Sequence, residues 1–320
     1  MPNKKRNADM PTCHETALQE LPELLEILLA HLPDELRQPR IDTTIYLYRQ
    51  EQKTRCRHFP NETTPTRHEI FHWTRNGKIV GGLFAILRPD KTLLALLPAV
   101  VSDEPESTLR LIFEKLMDFS HNVHACPTML LVDYQQSADE MLLKTFNFQK
   151  VSDLLNLNAQ QTTFPEHFPA KRLTFRKYTN NDWKKMVTLV EKTYQKTLDF
   201  PQLTGLTPTS QILKGYQESH VFEPSFWFFI EYQSQVIGVL LLTQLEEYQY
   251  LELTYLGLIS EFRGRGFSYE IVQFAQFFAK QQDYEFIIVS ADMNNIPAIS
   301  TYLRCGFHLH DQKEIYVRFA

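Results

Sequence analysis

The sequence predicts an α+β, mixed α/β chain built as two tandem domains, and three observations lead there. At 320 residues the chain is about twice the length of an ordinary domain. One order of strands and helices occurs twice, at a shift near half the chain. Residues 252–275, ELTYLGLISEFRGRGFSYEIVQFA, pass from a buried-strand pattern through a short Gly/Arg loop into a helical pattern.

Composition narrows the class. With 43% hydrophobic residues each half can bury a core, and a formal net charge of -5 argues against a general nucleic-acid or anionic-membrane binder. No uninterrupted apolar run reaches membrane-spanning length. The start, MPNKKRNADMPTC, carries charge with no apolar core behind it, so no secretory signal is expected. Cys13, Cys56, Cys126 and Cys305 are scattered with no C-x-x-C pair and read as reduced thiols. The expectation is a cytoplasmic protein with no metal and no nucleic-acid or membrane partner.

Residues 1–14, polar and basic, read as a disordered tail. Over 16–36, Leu18, Leu21, Leu24, Leu25, Leu28 and Leu29 share one broad face and predict a helix, with Pro22 near its start. His14 and His31 lack a ligand partner one helical turn away and read as surface residues. β-branched and aromatic content predicts strands at 43–49 and 70–74. Asn76-Gly77 then signals a hairpin, followed by strands at 78–87 and 92–101. A helix at 106–121, a strand at 129–133 and a helix at 138–145, ending at Asn147-Phe148, complete this half.

The Asn, Gln, Thr and two prolines of 155–170 read as a connection. They set bounds of 15–158 for the first domain, 159–170 for a linker and 171–320 for the second domain. A strand restarts at 172–178, and Asn181-Asp182-Trp183 opens a helix to about Thr197. An irregular stretch at 198–223 holds Pro201, Gly205, Pro208 and Gly215 around a helix near 210–218. Strands follow at 226–232, 235–245 and 250–259, and Phe226-Trp227-Phe228-Phe229 reads as sheet core. Residues 77–81 lie opposite 234–238, 129–133 opposite 286–290, and Asn147-Phe148 opposite Gly306-Phe307, which makes an internal duplication.

The two copies differ at one loop. In the second, Arg263-Gly264-Arg265-Gly266 places residues without Cβ where the chain must turn tightly before a helix carrying Ile271, Phe274, Ala275 and Phe278 at helical spacing. Converging backbone N–H groups and the positive end of the helix dipole would suit a diphosphate. By itself the loop equally fits a plain strand-to-helix connection. A P-loop is excluded because no Gly-Lys-Ser/Thr follows, and a dinucleotide fingerprint because Tyr269 stands where its third glycine belongs. In the first copy the loop is Ser102-Asp103-Glu104-Pro105-Glu106, with no glycine, a missing donor at proline and three acids, so phosphate binding is expected to be lost there.

Downstream, a strand near 285–290 leads to Asn295, Ala298, Tyr302, Gly306 and Phe307. Together these residues resemble the Gcn5-related N-acetyltransferase (GNAT) superfamily. Its Arg/Gln-x-x-Gly-x-Gly/Ala element is met by Arg263-Gly264-Arg265-Gly266-Phe267-Ser268, with Ser268 in the last place. Its Asn-x-x-Ala-x-x-x-Tyr and Gly-Phe elements are met at every position. The resemblance implies two tandem GNAT-like domains, each a mostly antiparallel twisted sheet flanked by helices, with a degenerate N-terminal copy and a catalytic C-terminal one.

It also implies chemistry. Acetyl-CoA would be the co-substrate and a small-molecule or peptide amine the acceptor. The loop Arg263, Gly264, Arg265, Gly266, Phe267 and Ser268 would hold the pyrophosphate. Leu256, Gly257 and Leu258 would meet the pantetheine and thioester, with Gly257 easing a strand bulge. Asn295 would contact the cofactor, and Tyr302 would protonate the leaving thiolate. Glu252 would take the amine proton, with Glu246 and Glu247 as competitors. A non-catalytic acyl-CoA-binding module and a transferase of another acyl or aminoacyl group share most of this pattern. His308 and His310 read as structural.

Overall fold

Two successive residues with positive φ form the tight turn in each copy. Asn76 (φ 52°) and Gly77 (φ 74°) join β2 (Arg67–Arg75) to β3 (Lys78–Leu87). Gln233 (φ 48°) and Ser234 (φ 62°) do the same between β9 (Trp227–Tyr232) and β10 (Gln235–Leu245). This backbone twist matches that of the flanking strands, which is why such turns close hairpins. The computed structural model describes residues 10–319 apart from 18, 31, 33, 35–36, 39–40, 42–44, 46–66, 89, 135–137, 169–171, 219–221 and 246–248.

The chain divides into two units, Met1–Lys150 with Ile315–Ala320, and Val151–Glu314. In the first, β1 (Thr12–Glu15), β2, β3, β4 (Leu93–Leu96) and β6 (Thr128–Asp133) lie side by side, with β5 (Ala99–Val100) also on β3. All these pairs are antiparallel except β4 with β6, where α2 (Glu106–Asn122) makes the crossover that a parallel pair requires. α1 (Leu21–Leu28) buries Leu21, Leu24, Leu25 and Leu28 with Ile70 and Phe84, while Ile112, Phe113 and Leu116 of α2 pack with Leu83, Leu93 and Leu130. α3 (Glu140–Thr145) adds Leu142 and Leu143, and its N-cap Asp139 accepts the N–H groups of Met141 and Leu142.

In the second unit the order is β7 (Gln149–Gln160), β12 (Phe286–Asp292), β11 (Tyr250–Leu258), β10, β9, β8 (Leu173–Lys177). The only parallel pair of this series is β11 with β12, joined through α6 (Phe267–Gln281). Alternation puts Phe228, Ile230 and Leu240 in one core with Ile271, Phe274 and Phe278 of α6 and Tyr302 of α7 (Ile296–Arg304). Trp227, Phe229 and Val239 face the other way, onto α4 (Trp183–Thr193) and α5 (Thr209–Glu218). Hairpin, strand, crossover helix, parallel strand and short helix thus occur in both units in one order, as the duplication requires.

Several boundaries differ from expectation. Residues 12–14, assigned to a tail, belong to β1 because β2 offers them an open edge. Of the helix expected over 16–36, Leu21–Leu28 form α1, while 18, 31, 33 and 35–36 lie outside the described residues. The strand expected at 43–49 lies, but for residue 45, outside the described residues. The 92–101 strand is two pieces, interrupted at Leu97-Pro98. Residues 155–160, read as connection, are strand: β7 pairs with β12 from Gln160 opposite Phe286 to Leu154 opposite Asp292. Composition hid it because its polar positions carry hydrogen bonds, Asn156 with Ser290 and Asp311 among them. The last residues of β13 (His308–Arg318) count with the first unit, where Tyr316 is core.

Candidate active site

The site begins where two parallel strands part. β11 and β12 pair at Tyr250 with Phe286, Leu251 with Ile287 and Glu252 with Ile288. Beyond that β11 runs on to Leu258 against β10 only, and β12 to Asp292 against β7 only. A wedge opens just past Glu252. In β11, Tyr255 pairs with Leu241 and Leu253 with Leu242, so Thr254 has no counterpart and forms a bulge. A bulged strand bends and re-aims its side chains. Leu253 accordingly faces the α6 core while Tyr255, two residues on, faces the α4 core.

That bulge corrects the expectation of one at 256–258. Leu256, Gly257 and Leu258 keep regular register with Leu240, Val239 and Gly238. Glycine stands at 257 for another reason: a Cβ there would lie 2.6 Å from Thr193 Oγ1 and 2.8 Å from Thr193 Cβ. α4 crosses the strand at that point, too close for any side chain.

The loop after β11 has the backbone of an anion cradle. A short 3-10 turn (Ser260–Phe262) leads to Arg263, then Gly264 (φ 73°), Arg265 and Gly266 (φ 75°), the N-cap of α6. Both glycines occupy a region that costs other residues strain. Among the described residues, no backbone N–H from Gly264, Arg265, Gly266, Phe267 or Ser268 donates to a protein acceptor. They gather at the positive end of a helix of 15 residues. The first copy lacks this arrangement: Pro105 caps α2, and the Glu104 carboxylate takes two bonds of 3.1 Å from Arg75 and one of 2.8 Å from Thr108.

The two loop arginines have different settings. Arg263 points its guanidinium into the protein, where Nε donates to the Leu258 carbonyl at 2.9 Å, Nη1 to Lys196 at 2.8 Å and Nη2 to Thr193 at 2.5 Å. Its side chain braces the loop, and its backbone N–H donates to the Ser260 carbonyl at 3.3 Å, so the free N–H groups of the cradle begin at Gly264. Arg265 is exposed, with its guanidinium over the Phe262 ring. From outside, Arg172 binds the carbonyls of Arg265 and Gly266 and pairs with buried Glu270, which also accepts the N–H groups of Arg172 and Leu173 at 2.9 Å. The sequence reading missed this brace, because residues some ninety positions apart carry no local signal.

Tyr302 stands on α7, 7% exposed and packed in the α6 core, its phenol making no hydrogen bond to a described residue. The Ser268 and Thr301 hydroxyls, 3.2 Å apart, join the start of α6 to the turn of α7 that carries it. Burial, then the charge of Asp199, raises the phenol's pKa, so it stays protonated at neutral pH. Asn295 caps α7 through Oδ1, 3.4 Å from the Ala298 N–H, and its side chain acts to lower the pKa of Asp199. Glu252 is half-buried at the last paired position before the wedge. Glu246 and Glu247 lie outside the described residues.

Asp199 and Asp292 were not anticipated. Asp199 Oδ1 accepts the Asp292 N–H at 3.1 Å, and Asp292 Oδ2 accepts the Phe200 N–H at 3.0 Å, which pins the loop after α4 to the end of β12. Phe200 turns there with φ 42°. Although Asp199 is an exposed residue, its carboxyl is packed among protein groups, and this desolvation, reinforced by the charge of Asp292, raises its pKa. No sequence motif marks the pair. Among the described residues no three His, Cys, Asp or Glu side chains gather as a metal site, and no helix is long and apolar enough to cross a membrane.

Comparison with known proteins agrees with this geometry. The Acetyltransferase (GNAT) family matches residues 188–307. A GCN5-related N-acetyltransferase from Sphaerobacter thermophilus aligns at TM-score 0.67 and 12% identity, over 97% of this chain and 95% of that one. A GCN5-related glucosamine N-acetyltransferase region of a fungal multi-domain GH3 β-N-acetylglucosaminidase aligns at 0.63 and 13%, over 97% of this chain and 38% of that one. A tandem GNAT protein from the clavulanic acid biosynthesis pathway aligns at 0.55 and 11%, over 97% and 98%. No curated protein matches the sequence. Residues 188–307 thus match the GNAT family, and the chain has the fold of solved GNAT proteins, a tandem GNAT protein among them.

Proposed function

We propose that this chain is an acetyl-CoA-dependent N-acetyltransferase acting by direct attack in a ternary complex, its chemistry in the second unit and its first unit a structural or substrate-shaping partner. The observation that carries the reading is the set of undonated N–H groups from Gly264 to Ser268, beside an open wedge between β11 and β12. A diphosphate fits such a cradle, because main-chain donors and a helix terminus stabilise it without a dedicated cation. Arg265 adds charge at the rim. On the side away from β10, where β12 no longer pairs with it, the strand over Leu256, Gly257 and Leu258 would align the extended pantetheine arm and meet the thioester carbonyl as charge develops on it.

Attack by the amine nitrogen forms the C–N bond and breaks the C–S bond. Glu252 takes the amine proton, directly or through water, and Tyr302 donates its phenolic proton to the departing thiolate. Asn295 keeps α7, and so Tyr302, in register with the wedge. The setting is a cytoplasmic one, consistent with reduced, scattered cysteines.

Acetyl-CoA at about 100 times its dissociation constant should raise stability by about 2.7 kcal/mol, read as a melting shift, and an amine panel should then release free thiol. No shift would end the reading. A shift without thiol release from any amine would leave an acyl-CoA-binding module, and release only with other acyl thioesters would reassign the donor.

A further inference from the structure

The cradle of backbone N–H groups accounts for the diphosphate of the proposed co-substrate and leaves its remaining phosphate, a monoester on the ribose 3′ position, without a partner. Such a group carries a charge of about −1.5 to −2 at neutral pH. It needs a cation that the protein has not already engaged. Arg263 is committed to three carbonyls, and Arg172 pairs with Glu270 while binding two loop carbonyls. Arg265 lies within the loop itself, at the rim of the diphosphate position.

Arg304 is placed differently. It ends α7, is exposed, and holds its guanidinium 5.0 Å from the centroid of the Tyr269 ring, with no hydrogen bond or ion pair to a described residue. A guanidinium stacked by its face keeps its in-plane N–H fork for an acceptor, and that fork matches phosphate oxygens.

The junction between α7 and α6 sets this cation beside the cradle. Tyr269 belongs to the first turn of α6, directly after the loop. Ser268 Oγ lies 3.2 Å from Thr301 Oγ1, Cys305 Sγ lies 3.9 Å from the Tyr269 carbonyl oxygen, and Gln276 Nε2 donates to the Cys305 carbonyl at 2.7 Å. Gln273 Nε2 donates to the Tyr269 phenol at 3.0 Å and so fixes the ring on which the guanidinium rests. The residue that stands where a dinucleotide fingerprint would have its third glycine is therefore a platform for a cation.

We propose that Arg304, held on Tyr269, binds the ribose 3′-phosphate of acetyl-CoA and makes the site select it over the 3′-dephospho form. The proposal rests on the acetyl-transfer reading. Arg304 is here a specificity-determining residue for the donor and takes no part in the transfer step.

The test measures binding of acetyl-CoA and acetyl-3′-dephospho-CoA to the full chain by calorimetry, with no acceptor present. Wild type should bind acetyl-CoA about tenfold or more tightly than the dephospho form, as one hydrogen bond between charged groups implies. Arg304→Gln should abolish that preference by weakening acetyl-CoA alone, and the unliganded melting curve should stay close to wild type, as for an exposed substitution. Arg265→Ala should weaken both ligands alike and keep their ratio. Equal affinity of wild type for the two ligands overturns the proposal without need of any variant. An equal loss of both in Arg304→Gln, or a preference that survives it, does so as well, and all three results leave the transfer reading standing. Binding of neither ligand by wild type removes the transfer reading, and the proposal with it.

Discussion

Arg263 Nε donates to the carbonyl oxygen of Leu258 across 2.9 Å, and the same guanidinium reaches Thr193 at 2.5 Å and Lys196 at 2.8 Å. One side chain therefore ties the end of β11 to the C-terminus of α4, where unpaired carbonyls and the negative end of the helix dipole favour a cation.

Arg263→Ala should accordingly act on stability first. Hydrogen bonds to a charged group contribute about 1.5–3 kcal/mol each and are not additive, so a loss of about 3 kcal/mol is expected in urea unfolding. Arg265→Ala should stay within about 0.5 kcal/mol of wild type, as an exposed substitution does, yet weaken acetyl-CoA binding and flatten its salt dependence. The reverse pattern would assign the phosphate contact to Arg263.

Gly264→Ala tests the cradle's conformation apart from its contents. An added Cβ meets nothing within 4 Å, so strain at φ 73° is the sole penalty. A left-handed alanine costs about 1–2 kcal/mol, and the strained loop should lose acetyl-CoA affinity in calorimetry. Full affinity in the variant would show that the N–H groups need not converge.

At Gly257 the penalty is steric. Gly257→Ala drives a methyl against Thr193, and overpacking of this kind costs about 1–3 kcal/mol. Adding Thr193→Ala should restore part of that loss in a double-mutant cycle, since the two residues touch. Strict additivity would mean that α4 yields freely.

Tyr302→Phe should bind acetyl-CoA normally and release thiol about 10²–10⁴ times more slowly, the range expected when a general acid is removed. The phenol makes no hydrogen bond to a described residue, so folding should barely change and the melting curve serves as control. An unchanged rate would leave the thiolate to be protonated by water.

Acid should loosen the start of the second unit. Asp182 binds Arg176 through both oxygens at 3.1 and 3.2 Å and accepts the Thr179 N–H at 3.1 Å, and chiefly the arginine bonds hold its carboxyl below the usual range. A pKa depressed by folding adds stability that is complete above the unfolded value of about 3.9 and fades as pH falls through the lower folded one. Stability against pH should therefore drop over that acidic window. Asp182→Asn should lose this increment at neutral pH and show a shallower acid limb.

Sequence alone determined the duplication, the order of elements and the contrast between the two loops. Each rests on spacing, glycine placement or local charge, all of which act within a few residues. The Asn76-Gly77 turn and the Gly264-Arg265-Gly266 backbone were legible for that reason. Tertiary structure alone decided where β11 parts from β12, why position 257 tolerates no side chain, which arginine braces the loop, and that Asp199 binds the Asp292 N–H. Those features come from groups about thirty-five to ninety-five positions apart, such as Glu252 with Ile288 and Arg263 with Thr193. Only the folded sheet sets their distances, because no periodicity along the chain encodes which backbone oxygen a distant guanidinium will meet.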